Sequence, residues 1–171
     1  MTSILKVSEI QDPTNGNSAL TVDSSGKVNA PVLGTLTRNV VSFQATGPAS
    51  YTSYGAAGVM SYNDTSSAGM HDNTGGNYST TNAEFTCAVA GLYHFQASCL
   101  VVSESAFGII LNYRNSSDAA IANFHCYNHG RTAQTQCIVN MSVGEKMRVL
   151  SEDTIAKYIG VYGRFSGFLI G

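Results

Sequence analysis

The feature that most constrains the fold is a stretch of alternating residue types between positions 92 and 102. Every second residue there is apolar and falls on one face of an extended chain: Tyr93, Phe95, Ala97 and Cys99. The residues between them, which include His94 and Gln96, fall on the opposite face. This period of two is typical of a β-strand with one buried face, and it places Tyr93 and Phe95 at the centre of a predicted core.

Strand signals recur along most of the chain, whereas no stretch shows the apolar period of an amphipathic helix. Turn-forming residues separate the apolar stretches, and Gly75 and Gly76 are predicted to supply the positive φ angles of one such turn. Strands are predicted over residues 40–45, 58–62, 84–86, 92–102, 107–113, 121–127, 133–143, 146–151 and 158–170. Many short strands with frequent turns predict an all-β fold, an antiparallel jelly-roll sandwich.

Charge and hydropathy exclude several partners. The formal net charge is −2 and only 12% of the residues are charged, so no basic stripe exists to follow a phosphate backbone. The apolar runs are too short to span a bilayer, and the first residues lack the pattern of a secretory signal. We therefore expect a protein that is made without export and that neither binds nucleic acid nor inserts into a membrane.

The four cysteines, Cys87, Cys99, Cys126 and Cys137, contain no Cys-x-x-Cys pair. In an oxidising compartment they could form two disulfides, whereas in a reducing one they would be small core residues. Cys99 and Cys137 continue the alternation of apolar positions on their strands, which favours the second interpretation.

The first 37 residues differ from the rest and are predicted to be an attachment arm, with a head domain over residues 38–171. Residues 18–30 contain a small hairpin pattern with a turn near Gly26. The arm has too little apolar area to be stable alone, so its apolar side chains are predicted to anchor it to a partner surface. These anchoring residues are Ile4, Val7, Ile10, Leu20, Val22 and Val28.

No constellation of catalytic residues is predicted. The nearest approach to a nucleophile elbow, at residues 163–167, misses the spacing by one position, and the carboxylates Glu152 and Asp153 fit a solvated loop. His125 and His129 would share a strand face about 13 Å apart, with Cys126 on the other face, so no metal site is predicted. No cofactor is predicted. Tyr51 and Tyr54 lie in a loop-like stretch and are the candidate surface-contact residues.

Several motifs, in order, resemble those of the C1q-like globular head family. They are Asn73, Gly75 or Gly76 and Tyr78, then Phe85–Thr86 with residues 89–95 (VAGLYHF), then residues 141–147 (MSVGEKM) and 164–170 (RFSGFLI). Ala88 stands where the family usually has proline. The resemblance implies a jelly roll related to tumour necrosis factor, a homotrimer, and a binding head that is not an enzyme. The outward positions His94, Gln96, Ile138 and Phe168 agree with self-association, because they include apolar groups that a lone subunit would expose.

The N-terminal segment, residues 4–28, resembles the opening of small structural proteins of marine bacteriophages. That resemblance implies a non-enzymatic virion protein, a trimeric fibre head or a capsid or tail decoration, located in the virion. The arm would bind other virion proteins, and the head would contact a glycan or protein of the host surface. The alternative is a secreted C1q-like ligand or recognition protein. A third class, a carbohydrate-processing enzyme, has no motif in its favour.

Overall fold

A computed structural model describes residues 9–11, 18–22, 28–29, 41–47, 52–64, 72–101, 106–158 and 162–170. The chain divides into two compact units, Met1–Asn39 and Val40–Gly171. All regular structure in the described ranges is β, without a helix, and every strand pairing there is antiparallel. The predicted fold class is confirmed.

The first unit contains a three-stranded sheet of β1 (Glu9–Gln11), β2 (Ser18–Val22) and β3 (Val28–Asn29), in that order. Val22 is opposite Val28 across β2 and β3, which confirms the hairpin predicted over residues 18–30, and β1 adds to it a third strand that was not predicted, with Ile10 opposite Leu20. Ile4 and Val7 lie outside the described residues. The anchoring role of all six arm residues stays a prediction.

The second unit is a sandwich of two sheets. Its strands are β4 (Ser42–Ala45), β5 (Thr52–Tyr54), β6 (Asp72–Thr74), β7 (Tyr78–Ser79), β8 (Glu84–Thr86), β9 (Gly91–Val101), β10 (Phe107–Arg114), β11 (Ala120–Asn128), β12 (Thr132–Met141), β13 (Lys146–Ser151), β14 (Ile155–Tyr158) and β15 (Arg164–Leu169). One sheet has five strands in the order β11-β10-β13-β8-β7. The other has seven strands in the order β5-β14-β9-β15-β4-β6, with β12 paired to β9 as well.

The core lies between the two sheets and is rich in aromatic rings. Phe43 stacks on Tyr78 with ring centroids 4.6 Å apart, and Phe85 contacts Phe95 edge to face at 5.3 Å. Tyr93 and Phe95 are fully buried, as their alternation predicted. The hydroxyl groups of the buried tyrosines have acceptors: Tyr62 donates to the Ser98 carbonyl and Tyr78 to the Tyr62 carbonyl. A satisfied hydroxyl allows a tyrosine to fill a core without an unpaired polar atom.

The strand pattern was predicted well where alternation is long and less well elsewhere. The predicted strand over residues 58–62 is an isolated bridge, Val59 opposite Leu150, and not a strand of its own. The strand predicted over residues 158–170 corresponds to β15, which begins only at Arg164; of β14 it includes Tyr158 alone, and residues 159–161 lie outside the described ranges. The positive φ angles predicted for Gly75 and Gly76 are confirmed at 89° and 64°.

All four cysteines are free thiols. Cys87, Cys99 and Cys137 are buried in the core, and Cys126 is half-buried on β11. Burial raises the pKa of the Cys137 thiol to about 12, and burial also raises the pKa of Cys87. These positions fit the interpretation of the cysteines as apolar core residues, because a protonated thiol is a small hydrophobe.

Candidate functional site

The outer face of the seven-stranded sheet carries an apolar patch, defined here as Leu92, Ile138, Phe168 and Ile170. Their side chains are 39%, 59%, 48% and 49% exposed. Strand register places Ile138, His94 and Phe168 in one row across β12, β9 and β15, and the His94 ring lies 5.2 Å from the Phe168 ring. The outward facing predicted for His94, Gln96, Ile138 and Phe168 is confirmed. A continuous apolar patch of this kind on a sheet face is typical of a protein contact surface.

A polar row lies beside the apolar patch. Register brings Gln136, Gln96, Ser166 and Gln44 side by side across β12, β9, β15 and β4. The Gln44 Nε2 atom is buried and makes no hydrogen bond within the described residues. The face therefore combines an apolar patch with amide groups that can both donate and accept, which is a composition suited to a specific interface.

The predicted surface tyrosines do not form a contact site in the described residues. Tyr54 is only 7% exposed and belongs to the core, and its hydroxyl accepts a hydrogen bond from the Ser61 N–H. The interpretation of Tyr54 as a surface-contact residue is therefore wrong, because its strand β5 pairs with β14 and turns the ring inward. Tyr51 lies outside the described residues.

The outer face of the five-stranded sheet carries an ionic network centred on the buried Glu84. Lys146 Nζ lies 3.3 Å and Arg148 Nη1 3.5 Å from its carboxylate oxygens. Asp118 accepts a hydrogen bond of 2.8 Å from Arg114 Nε, and that bond lowers the pKa of the Asp118 carboxyl. Because register places Arg148 directly opposite Glu84, the network connects neighbouring strands. Apart from the buried Arg148 Nε atom, which has no partner among the described residues, its groups are paired with one another, so we interpret it as structural.

The histidine and carboxylate residues considered in the sequence lie on β11, in the turn that follows it, and after β13. His125 and His129 are exposed on β11 and in the following turn, while Cys126 faces the other way. His125 Nδ1 lies 3.0 Å from Glu152 Oε1, and Asp153 accepts a hydrogen bond from the Gly108 N–H. In the part of the chain that the structure describes, no three histidine, cysteine or acidic residues come together in a metal-binding group. No helix of the length and hydropathy needed to span a bilayer is found in those ranges.

The two-sheet sandwich with this strand order and an aromatic core defines a jelly-roll head of the C1q and TNF type. The sequence model of the C1q domain matches residues 43–170, and the chain therefore belongs to the C1q domain family. The match contains the motifs at residues 73–95, 141–147 and 164–170. A search of curated proteins finds no match.

Solved structures agree on the fold. The globular domain of zebrafish complement 1qA is similar with a TM-score of 0.54 and 17% identity, over 76% of this chain and 97% of that one. The Eiger TNF of S. frugiperda gives a TM-score of 0.62 at 8% identity, over 78% of this chain and 94% of that one. Murine APRIL gives a TM-score of 0.55 at 13% identity, over 75% of this chain and 96% of that one. At these identities the likeness concerns the fold alone.

Two features of the surface were not predicted from the sequence. The pairing of the buried Glu84 with Lys146 and Arg148 had no sequence signal, because the two strands that supply these residues, β8 and β13, are far apart in the chain. The row of glutamines could have been found by extending the alternation of residues 92–102 to the polar positions of the other strands.

Proposed function

We propose that this protein is a non-enzymatic, homotrimeric binding module of the C1q type, with ligand recognition as its role. The observation that carries the proposal is the apolar patch on the outer face of the seven-stranded sheet. Four large apolar side chains stay between 39% and 59% exposed there, although the other face of the same sheet is closely packed. Covering such a patch with copies of the same chain is the simplest way to remove it from water.

The C1q family membership supports a trimer in particular, since that is the assembly that the resemblance implies. Ring closure around a three-fold axis requires each subunit to present two different surfaces to its neighbours. The row of glutamines next to the apolar patch supports a defined interface, because unpaired amides at a wrong register would cost free energy. The absence of a recognisable catalytic constellation in the sequence is consistent with a binding role.

The test is a measurement of molar mass by light scattering. The full chain is expected to give about three times its subunit mass of 18.0 kDa at micromolar concentration. Ile138→Glu, which puts a charge on the apolar patch, is expected to give the subunit mass. Ile121→Glu is the matched control, because Ile121 is 49% exposed on the outer face of the other sheet. A monomeric wild type, or equal behaviour of the two variants, would contradict the trimer through this face.

A second candidate setting is a bacteriophage virion, as a fibre head or a capsid or tail decoration. The observation in its favour is the separate N-terminal unit, Met1–Asn39, which contains a sheet of three short strands, Glu9–Gln11, Ser18–Val22 and Val28–Asn29. A sheet of this size is marginal alone, which suits an attachment arm that binds other virion proteins.

The virion setting is tested by an assembly assay. A chain that begins at Arg38 is expected to be left out of particles that incorporate the full chain, while light scattering still gives three times the mass of the shortened subunit. Equal incorporation of both chains would contradict an anchoring role of the arm. If the full chain is not incorporated into particles either, the alternative is a secreted C1q-like ligand. A signal peptide in the gene would favour that alternative.

A further inference from the structure

A cavity of about 480 Å³ opens where the ends of four segments of the head meet. It is lined by the end of β9 at Ser98, the end of β11 at Cys126 and Asn128, the start of β12 at Thr132 and Gln134, and Tyr162 before β15. Its volume falls within the roughly 300–1,000 Å³ that small-molecule sites occupy. It is separate from the apolar patch, and nothing in the family match assigns a function to it.

The lining is mostly polar, with Cys99, Cys126 and Ala133 as its apolar members. Asn128 and Gln134 contribute amides, Ser98 and Thr132 contribute hydroxyls, and Tyr162 contributes an aromatic ring that is 67% exposed. None of the described lining residues is charged. Amides and hydroxyls both donate and accept hydrogen bonds, so they match a ligand whose own groups do both. An uncharged lining provides no ionic partner for a phosphate, a carboxylate or an ammonium group, and these groups bind best to charged partners.

Some of these groups are already held in place. The Gly130 N–H donates to Asn128 Oδ1 at 3.1 Å, and Asn128 Nδ2 donates to the Thr132 carbonyl. These bonds fix the amide while leaving it one further hydrogen and one further lone pair. Ser98 Oγ accepts a hydrogen bond of 3.2 Å from the Arg164 N–H, and within the described residues its own hydroxyl hydrogen has no acceptor. A site with polar groups fixed before binding loses less entropy when the ligand arrives.

We infer that this cavity binds a neutral sugar ring, with Tyr162 packed against the C–H face of the pyranose and the Asn128 and Gln134 amides bonded to its hydroxyls. A pyranose presents a band of C–H groups and a rim of hydroxyls that donate and accept, which is the pairing that an aromatic ring and amides provide. The inference rests on the proposed binding function and deepens it by naming a ligand class. In a trimer the three cavities would bind a multivalent glycan with a gain in avidity.

The experiment uses the full chain and saturation-transfer NMR with four neutral probes: glucose, galactose, mannose and N-acetylglucosamine. Glucuronate is the charged counterpart of glucose, and it is included because the exposed Arg164 adjoins Ser98. At least one neutral probe is expected to bind. Tyr162→Ala and Gln134→Ala are expected to weaken that binding roughly three- to tenfold, the change that loss of one ring contact or one hydrogen bond produces. Tyr127→Ala, at a 56% exposed tyrosine outside the cavity lining, is expected to leave it unchanged.

A second readout locates the bound sugar. Cys126 lines the cavity and is half-buried, so its alkylation by iodoacetamide in the folded protein is expected to slow when the probe is bound. Peptide mass spectrometry assigns the modified cysteine.

The inference is overturned if no neutral probe binds, if glucuronate binds more tightly than every neutral probe, or if Tyr127→Ala weakens binding as much as the cavity variants do. Binding without protection of Cys126 would also overturn it, because the sugar would then lie elsewhere. The proposed trimer is judged separately by molar mass. If the protein is a monomer and binds the probe with the expected variant pattern, the proposed trimer is rejected and the sugar site is supported. If it is a trimer and binds no probe, the trimer is supported and the sugar site is rejected.

Discussion

Gly167 lies directly against the ring of Phe95, with no room for a side chain between them. A Cβ atom placed on Gly167 would lie 2.5 Å from Phe95 Cδ1 and 2.8 Å from Phe43 Cε1. Register explains the contact, because Gly167 is opposite Phe95 across β15 and β9 and opposite Phe43 across β15 and β4. Both rings occupy the space above the glycine. Packing in this sheet therefore requires the glycine of the Phe-Ser-Gly-Phe motif.

Gly167→Ala is therefore expected to lower the free energy of unfolding by about 1–3 kcal/mol, as overpacking does in a closed core. Phe95 is fully buried and Phe43 is 3% exposed, so neither ring can move aside without displacing others. Urea unfolding at one fixed protein concentration measures the change. Gly55→Ala is the control, since nothing lies within 4 Å of a Cβ there. Similar stability for the two variants would mean that the core adapts to the extra methyl group.

Phe95→Ala is expected to cost about 3–5 kcal/mol, because it leaves a cavity among aromatic rings that cannot collapse together. Phe95 contacts Phe85, Tyr93 and Phe165 as well as Phe43. Val143→Ala, at a turn where the side chain is 64% exposed, is expected to change stability by no more than about 0.5 kcal/mol. Thermal unfolding within a few degrees of wild type for Phe95→Ala would contradict the central place of this ring.

Stability is expected to fall at alkaline pH. Burial raises the pKa of Tyr62 and of Tyr78 above the ordinary value. A raised pKa means that the folded state keeps protons which the unfolded chain releases above about pH 10. The stabilising effect is thus complete below that pH and is lost progressively as the pH rises beyond it. Urea unfolding from pH 8 to 11 measures the loss, and it is expected to be smaller in Tyr78→Phe. A flat profile would contradict the protonated, buried state of these hydroxyls.

The cysteines are expected to be reduced. Denaturation without reductant should expose four thiols per chain to a labelling reagent. In the folded protein Cys126 is expected to react first, because Cys87, Cys99 and Cys137 are only 1%, 1% and 7% exposed. Two or fewer thiols in the denatured chain would favour the disulfide-bonded, secreted alternative.

The head is expected to fold without the arm. A chain that begins at Arg38 retains the whole second unit, Val40–Gly171, with its own core. It is expected to remain soluble, to unfold cooperatively and to keep the molar mass of a trimer. Aggregation or loss of self-association would mean that the arm belongs to the fold and that the boundary near residue 38 is wrong.

Long alternation made most of the sandwich predictable. In β9 the exposed and buried residues follow the sequence pattern along eleven residues, and β12 repeats it over ten. The fold class and the family motifs follow from such local signals. Tyr54 was misjudged because its neighbours Thr52, Ser53 and Gly55 resemble a surface loop, whereas the pairing of β5 with β14 is a contact between distant segments. The cavity could not be predicted from the sequence for the same reason, because its lining residues are distant segments of the chain between positions 98 and 162.

The position of β15 affects the order of events during synthesis. This strand is the last of the described strands, yet it lies between β9 and β4 and bonds to both. Translation proceeds from the N-terminus, so β4 and β9 are made long before the strand that joins them. The nascent chain therefore carries a gap in the middle of its larger sheet until Arg164–Leu169 emerge from the ribosome. A chain that stops before Arg164 would have an open sheet with two bare edges, prone to aggregation or degradation in place of a slightly weakened head.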